Sequence, residues 1–238
     1  MNEPVVVGVE RDASGRHVAR VLRPGAFLAP RPLLPEPDRL RIALVGTRAG
    51  LLAGDDLGLR ISVGPGARLE LVEPAGLIAY DHRGGRSRWR ARVEVAEGGE
   101  LLWCGQPFVI SSGADVLREM DVVLAAGARM LWRDTLVLGR SGERGGSVRA
   151  VTRVTYDDEE LLVEDLDLTD ADVRALPGLL GPHRVVGAVT ALGARPPGPP
   201  HHHRAELAGP GAQIRLLDTA APAVDAELTA VWEAWSRP

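Results

Sequence analysis

The sequence predicts an all-β fold: stacked β-hairpins in a β-helix-like, two-layer arrangement, with a short helix near 170–176 and a C-terminal helix. Three observations carry that reading. A strand pattern, a Gly-containing turn and a second strand pattern recur in four places. These are Ile61-Ser62-Val63-Gly64-Pro65-Gly66-Ala67-Arg68-Leu69, Val95-Ala96-Glu97-Gly98-Gly99-Glu100-Leu101, Leu124-Ala125-Ala126-Gly127-Ala128-Arg129-Met130 and, more weakly, Leu207-Ala208-Gly209-Pro210-Gly211-Ala212-Gln213-Ile214. The turn glycines Gly66, Gly98 and Gly127 lie about 30 residues apart, a spacing that signals a repeating architecture. Helix signals are few, and alternating apolar residues around a glycine suit a chain that reverses where positive φ costs little.

Along the chain, residues 5–11 and 16–23 read as a first hairpin that turns at Ala13-Ser14-Gly15. The Pro-rich stretch Pro24 to Pro37 reads as a connector outside any sheet, because proline lacks a ladder donor. Strands are expected at 40–46, 57–63, 67–73, 76–80, 88–95, 100–105, 116–124, 129–138, 147–155 and 160–168, and again at 183–192 and 212–218. Within 88–95, Trp89, Ala91, Val93 and Val95 alternate with Arg88, Arg90, Arg92 and Glu94, the mark of one buried and one wet face. Residues 170–176 suit a short helix capped by Thr169 or Asp170 and stopped by Pro177-Gly178. From Pro222 to Trp235, Val224, Leu228, Val231, Trp232 and Trp235 fall at helical spacing. A single domain over 1–238 is expected, with a Pro/His-rich surface loop at 195–203.

Composition narrows the function classes. Net charge is −4, with basic and acidic residues interspersed, so neither nucleic acid nor an anionic membrane is an expected partner. No run is long and apolar enough for a membrane span, and Met1-Asn2-Glu3-Pro4 shows no basic n-region leading into an apolar one. One cysteine, Cys104, excludes a disulfide framework and fits a reducing compartment, so a cytoplasmic location is expected. All 28 basic residues are Arg. Without lysine there is no phosphate-loop lysine, no Schiff base and no kinase-type lysine.

Candidate chemistry is sparse. Gly139-Arg140-Ser141-Gly142 does not have nucleophile-elbow spacing, and Cys104 between Trp103 and Gly105 reads as a core thiol. His201, His202 and His203 offer imidazoles that suit Zn²⁺ or Ni²⁺, though a proline-flanked loop supplies no second set of ligands. Nine carboxylates crowd the stretch Asp157 to Asp172. In Leu161 to Leu168, alternation sets Asp165 with Leu161 and Val163, and Glu164 with Leu162 and Leu166, so one carboxylate must face the core and need a partner. Asp55-Asp56 closes a Gly-rich turn, and Asp134 shares its strand face with Trp132 and Leu136.

These residues converge on one family. Gly50-Leu51-Leu52-Ala53-Gly54-Asp55-Asp56-Leu57 followed by Val63-Gly64-Pro65-Gly66-Ala67-Arg68-Leu69 resembles the G-G-x-x-x-G-D-x-L and V-x-x-G-A-x-L runs of the urease accessory protein D family. Gly105 to Ile110 stands where members carry P-E-P-x-I-P-F. Asp134-Thr135-Leu136 through Gly139-Arg140 and Gly142-Glu143 is similar to D-x-L-x-x-G-R-x-x-x-G-E, and Leu161 to Leu168 to L-x-x-x-D-x-L-x-L. The run Leu71 to Tyr80 keeps only the Ala and Tyr of the family's T-T-Q-A-x-T-K-V-Y, which marks a divergent, actinobacterial-type member. The resemblance implies a non-enzymatic scaffold that binds accessory protein F, which recruits the GTPase accessory protein G, to deliver Ni²⁺ to the urease apoprotein. No tightly bound cofactor is implied, only Ni²⁺ in transit, passing Asp55, Asp134, Glu143 and Asp165. Surface capture by His201, His202 and His203 is the alternative metal route. Two other functions stay open: a carbohydrate-active enzyme with paired acids, which the 4% aromatic content disfavours, and a metal-free β-scaffold that binds partners.

Overall fold

The computed structural model describes residues 2–34, 36–198 and 201–236. The chain opens with β1 (Val5–Arg11), β2 (His17–Arg23), β3 (Leu28–Pro32), β4 (Leu40–Gly46) and β5 (Asp56–Val63). It continues through β6 (Arg68–Val72), β7 (Leu77–Ala79), β8 (Ser87–Val95), β9 (Glu100–Cys104), β10 (Phe108–Ile110), β11 (Asp115–Leu124) and β12 (Arg129–Leu138). After β13 (Ser147–Tyr156), β14 (Glu159–Asp167) and α1 (Ala171–Arg174) come β15 (Val185–Leu192), β16 (Arg204–Glu206), β17 (Gly211–Asp218) and α2 (Ala221–Trp235). The first sheet has the order β14–β13–β11–β8–β5–β1–β2, and the second β16–β17–β15–β12–β9–β6–β4–β3, with β10 joining β12 to β7.

The expected two-layer, β-helix-like arrangement is present, but three of the four repeats are not hairpins. β5, β8 and β11 pair in parallel in the first sheet, while β6, β9 and β12 pair in parallel in the second. Each Gly turn therefore carries the chain from one layer to the other. Gly66, Gly98 and Gly127 all have positive φ and lie one above the next: a Cβ on Gly98 would sit 3.9 Å from Gly66 Cα, and one on Gly127 3.8 Å from Gly98 N. Amides of one turn bond carbonyls of its neighbour, as in Gly66 N–H to Glu97 O (3.0 Å) and Arg129 N–H to Gly99 O (2.9 Å). Only the fourth repeat closes a hairpin, β16 with β17.

Antiparallel strands finish the stack: β2 and β14 at the two edges of the first sheet, β3 beside β4, and β15, β17 and β16 beyond β12. The Pro24–Pro37 stretch thus contains a strand that the proline argument excluded. β3 is an edge strand that pairs only with β4, so Pro30 and Pro32 cost no interior ladder bond. Between the sheets Val, Leu, Ile and Ala from both inner faces form one core with Trp89, Trp103 and Trp132.

The apolar stripe of α2 is consumed inside the molecule. Val224, Leu228 and Val231 pack with Leu131, Val137, Val189, Ile214 and Leu216 on the outer face of the second sheet, with Trp232 and Trp235 at the margin. Arg133 reaches out from β12 to Thr229 Oγ1 (2.9 Å) and to the Asp225 carboxylate. Close approach depends on Gly187 of β15, where a Cβ would meet Val224 Cγ1 and lie 2.7 Å from Leu228 Cδ1. Replacing Gly187 by Val is expected to lift the helix and cost about 1–3 kcal/mol through overpacking. Urea unfolding followed by tryptophan emission checks this; an unchanged midpoint would show that the helix is held elsewhere.

Candidate functional site: a polar interior between the sheets

Four charged side chains fall in phase with the apolar residues that face the core. Glu73 continues the inward series Leu69 and Leu71 just past β6; Arg118 stands between Val116 and Met120 on β11; Asp134 lies between Trp132 and Leu136 on β12; Glu164 lies between Leu162 and Leu166 on β14. Alternation forces them inward, and an inward charge must find a partner.

Arg118 and Asp134 satisfy each other. Arg118 Nη1 donates to Asp134 Oδ2 at 2.7 Å and Nη2 to Oδ1 at 2.9 Å, a two-pronged match of fork to carboxylate. The guanidinium is 4.5 Å from the centre of the Trp89 ring and 5.4 Å from that of Trp132, so two aromatic faces add cation–π attraction where water is scarce. Glu164 is bonded by Arg215 at 2.6 Å. Glu73 differs from both. Its carboxylate oxygens accept from Trp103 Nε1 (2.8 Å) and the Gln106 amide (3.0 Å). Although part of the residue reaches solvent, desolvation of its carboxyl group is the largest influence and raises its pKa above the ordinary value; the two hydrogen bonds oppose this, and nearby Asp134 adds to it.

Three cavities follow these residues. One of about 330 Å³ runs in from Phe27, Leu44 and Arg48 to Glu73 and Trp89. A second, of about 30 Å³, shares Glu73, Leu77 and Trp89 with the first and ends at Arg118, Trp132 and Asp134. A third, also about 30 Å³, starts from those same three residues and reaches Glu164, Thr190, Gln213 and Arg215. Each small cavity has room for about one water molecule.

Of the four acids expected on a metal path, only Asp134 lines these cavities. Asp55 turns back on its own loop and accepts from the Leu52 amide at 2.8 Å, with Arg48 at 3.8 Å. Glu143 ties a loop together, accepting from the Arg140 amide and Nε (2.8 Å each) and the Ser112 amide (3.2 Å). The bonds from Arg140 hold its pKa at about 2. Asp165 points outward and pairs with Arg149 at 2.9 Å; the inward carboxylate of that strand is Glu164. A register shift at Val154/Thr155 places both Leu161 and Leu162 against the core, and so sets Asp165 out of phase with Leu161. Glu73 and Arg118 carry the same signal as Asp134, a charge in phase with apolar alternation, Glu73 within the run Leu71 to Tyr80 that departs from the family motif.

The histidines stand apart from this interior. His201 Nε2 is 3.2 Å from Glu227 of α2, and its Nδ1 accepts from the His203 amide at 3.2 Å, while His202 is exposed. Pro199 and Pro200 of the 195–203 loop lie outside the described residues. Among the described residues no three His, Cys, Asp or Glu side chains are grouped to hold a metal ion, and no helix is long and apolar enough to cross a membrane. Burial pushes the Cys104 thiol up, away from the reactive thiolate.

Comparison with known proteins adds a family to this geometry. A model of the UreD urease accessory protein family matches residues 4–238. The chain is 74% identical over 234 residues to urease accessory protein UreD 1 of Streptomyces griseus, covering 98% of this chain and 92% of that protein. It is 36% identical over 205 residues to urease accessory protein UreD 1 of Saccharopolyspora erythraea, with 84% and 80% covered. A urease accessory protein UreD of Streptomyces avermitilis is 30% identical over 230 residues, with 92% and 88% covered.

The raised pKa of Glu73 has a consequence for stability. The folded chain keeps a proton that the unfolded chain releases, so stability is greatest below the ordinary carboxylate range. It falls as pH rises from there through the folded-state pKa, by about 1.4 kcal/mol per unit of displacement. Glu73→Gln keeps an acceptor for Trp103 and removes the titration. Its melting temperature should exceed the parent's at pH 8 and converge on it near pH 4. A variant that melts lower than the parent at pH 8 would show that the carboxylate is compensated in the folded state.

Proposed function

The chain belongs to the urease accessory protein D family, and from that premise we propose that it is a cytoplasmic, non-enzymatic scaffold in nickel insertion. It bridges the urease apoprotein and accessory proteins F and G, and Ni²⁺ crosses it in transit between its two sheets. One observation supports the route above the others: Glu73, Asp134 and Glu164 line successive cavities beside the apolar core between the sheets. Carboxylates met singly, with no three-ligand cluster among the described residues, suit a cation that is handed on rather than stored. The division of labour agrees with the composition. A chain without lysine has no phosphate-loop lysine, so the nucleotide step falls to accessory protein G.

Activation of apo-urease, reconstituted with accessory proteins F and G, Ni²⁺ and GTP, tests the route. Asp134→Asn and Glu164→Gln keep shape and remove charge, and each should lower activation several-fold with little change in melting temperature. Glu143→Gln and Asp165→Asn, outside the cavities, should activate as the parent does. Equal activity of all four variants would remove the interior route; loss of activation on replacing His201, His202 and His203 would move the metal to the surface loop. Partnership has its own test. Co-expressed with accessory protein F, the chain should co-purify in fixed proportion, and clean separation of two folded proteins at micromolar concentration would overturn that part.

A further inference from the structure

The interior route is interrupted at one place. Both small cavities end on Arg118, Trp132 and Asp134, one on each side. We propose that Arg118 is a gate: its guanidinium occupies the position on Asp134 that a divalent cation would take, and cations cross only when it lets go. This rests on the reading that cations move between the sheets, and adds what controls them.

Four features argue for a gate over a simple clamp. The two bonds at 2.7 and 2.9 Å engage both Asp134 oxygens, so a metal cannot be chelated by the carboxylate while the guanidinium stays. The guanidinium is held from the sides by Trp89 and Trp132, a cage that accepts a cation but offers it no directional bond. Arg118 Nε is buried without a hydrogen-bond partner, so the two bonds to Asp134 are the ones that release of the guanidinium must break. The cavities on either side hold about one water each, too little for a cation with its hydration shell, so passage needs the Arg118 side chain to move. A divalent cation arriving at Asp134 displaces the guanidinium, which remains within reach of the aromatic faces, and the excess positive charge then favours onward passage over storage. Glu164 is also paired with an arginine, Arg215, but through a single nitrogen.

Titration of the purified chain with NiCl2 alone, by calorimetry and by quenching of tryptophan emission, tests the gate without urease. Arg118→Gln frees Asp134 and should bind Ni²⁺ about tenfold more tightly than the parent. The double variant Arg118→Gln with Asp134→Asn should lose that gain while keeping the fold. Guanidinium ion at a few millimolar, far below denaturing concentrations, should weaken binding to Arg118→Gln and leave the double variant unchanged. Should Arg118→Gln fail to fold, Arg118→Lys keeps the charge without the two-pronged match, and its affinity should lie above the parent's. A folded Arg118→Gln that binds no more Ni²⁺ than the parent overturns the gate, since a structural clamp would leave the affinity where it was. If Asp134→Asn nevertheless lowers urease activation, the route stands and only the gate falls; if neither changes anything, both fall.

Discussion

Everything in this molecule follows from how the chain crosses from one sheet to the other. Gly66, Gly98 and Gly127 make the crossing at positive φ, and each lies under 4 Å from where the next would carry a side chain. A residue with a Cβ would be strained there by the positive φ, although the neighbouring coil would meet it only at ordinary contact distance. Stacked in this way, successive coils keep the strand spacing of a parallel sheet, about 4.8 Å, and the two layers face each other at about 10 Å. That separation leaves no freedom in the facing of side chains. Every second residue on β5, β8 and β11 meets every second residue on β6, β9 and β12, so a charged residue in phase with its apolar neighbours is committed to the interior.

Stability alone does not account for what occupies those positions. A buried ion pair such as Arg118–Asp134 roughly breaks even against well-packed apolar residues of the same volume. Glu73 is less favourable still, because its two partners, Trp103 Nε1 and the Gln106 amide, are uncharged and its desolvation outweighs them. A core rich in Leu and Val could have closed over all three positions. The polar groups instead leave cavities beside them, in a layer where packing is otherwise continuous from Val5 to Leu192. A function that needs a wet, charged interior is the simplest account of their presence.

The sequence made the layers and most of the strands legible, because alternation along 88–95 is strict and the turns are marked by glycine, although β3, β10 and β16 are not among the expected strands. It could not tell a hairpin from a crossing between layers. Both need a glycine flanked by strands with one buried face, and only the partners of β5 and β6, parallel and in different sheets, separate the two. The Pro-rich stretch misled for a related reason: β3 is an edge strand, and whether a strand lies at an edge is a property of the assembled sheet. In the site, Asp134 was readable because Trp132 and Leu136 flank it. Alternation alone does not choose between Asp165 and Glu164; one bulge, at Val154/Thr155, shifts the phase of β14 and gives the inward position to Glu164. The His201 contact with Glu227 joins residues from a loop and a distant helix, and no local pattern announces it.

On the proposed route the pairing of each acid with an arginine resolves a difficulty that an all-acid interior would raise. A row of bare carboxylates between two apolar layers would be desolvated and mutually repelling, and would either take up protons or hold the first divalent cation too tightly. With Arg118 on Asp134 and Arg215 on Glu164 the resting interior is nearly neutral, and each acid trades one cation for another when metal passes. Glu73, which has no arginine bonded to it, faces the widest of the three cavities on this route, and burial raises its pKa above the ordinary value. At rest, charge is thereby compensated by groups already within the fold. That is the condition under which carboxylates can line a path through a protein core without either unfolding it or trapping what moves along it.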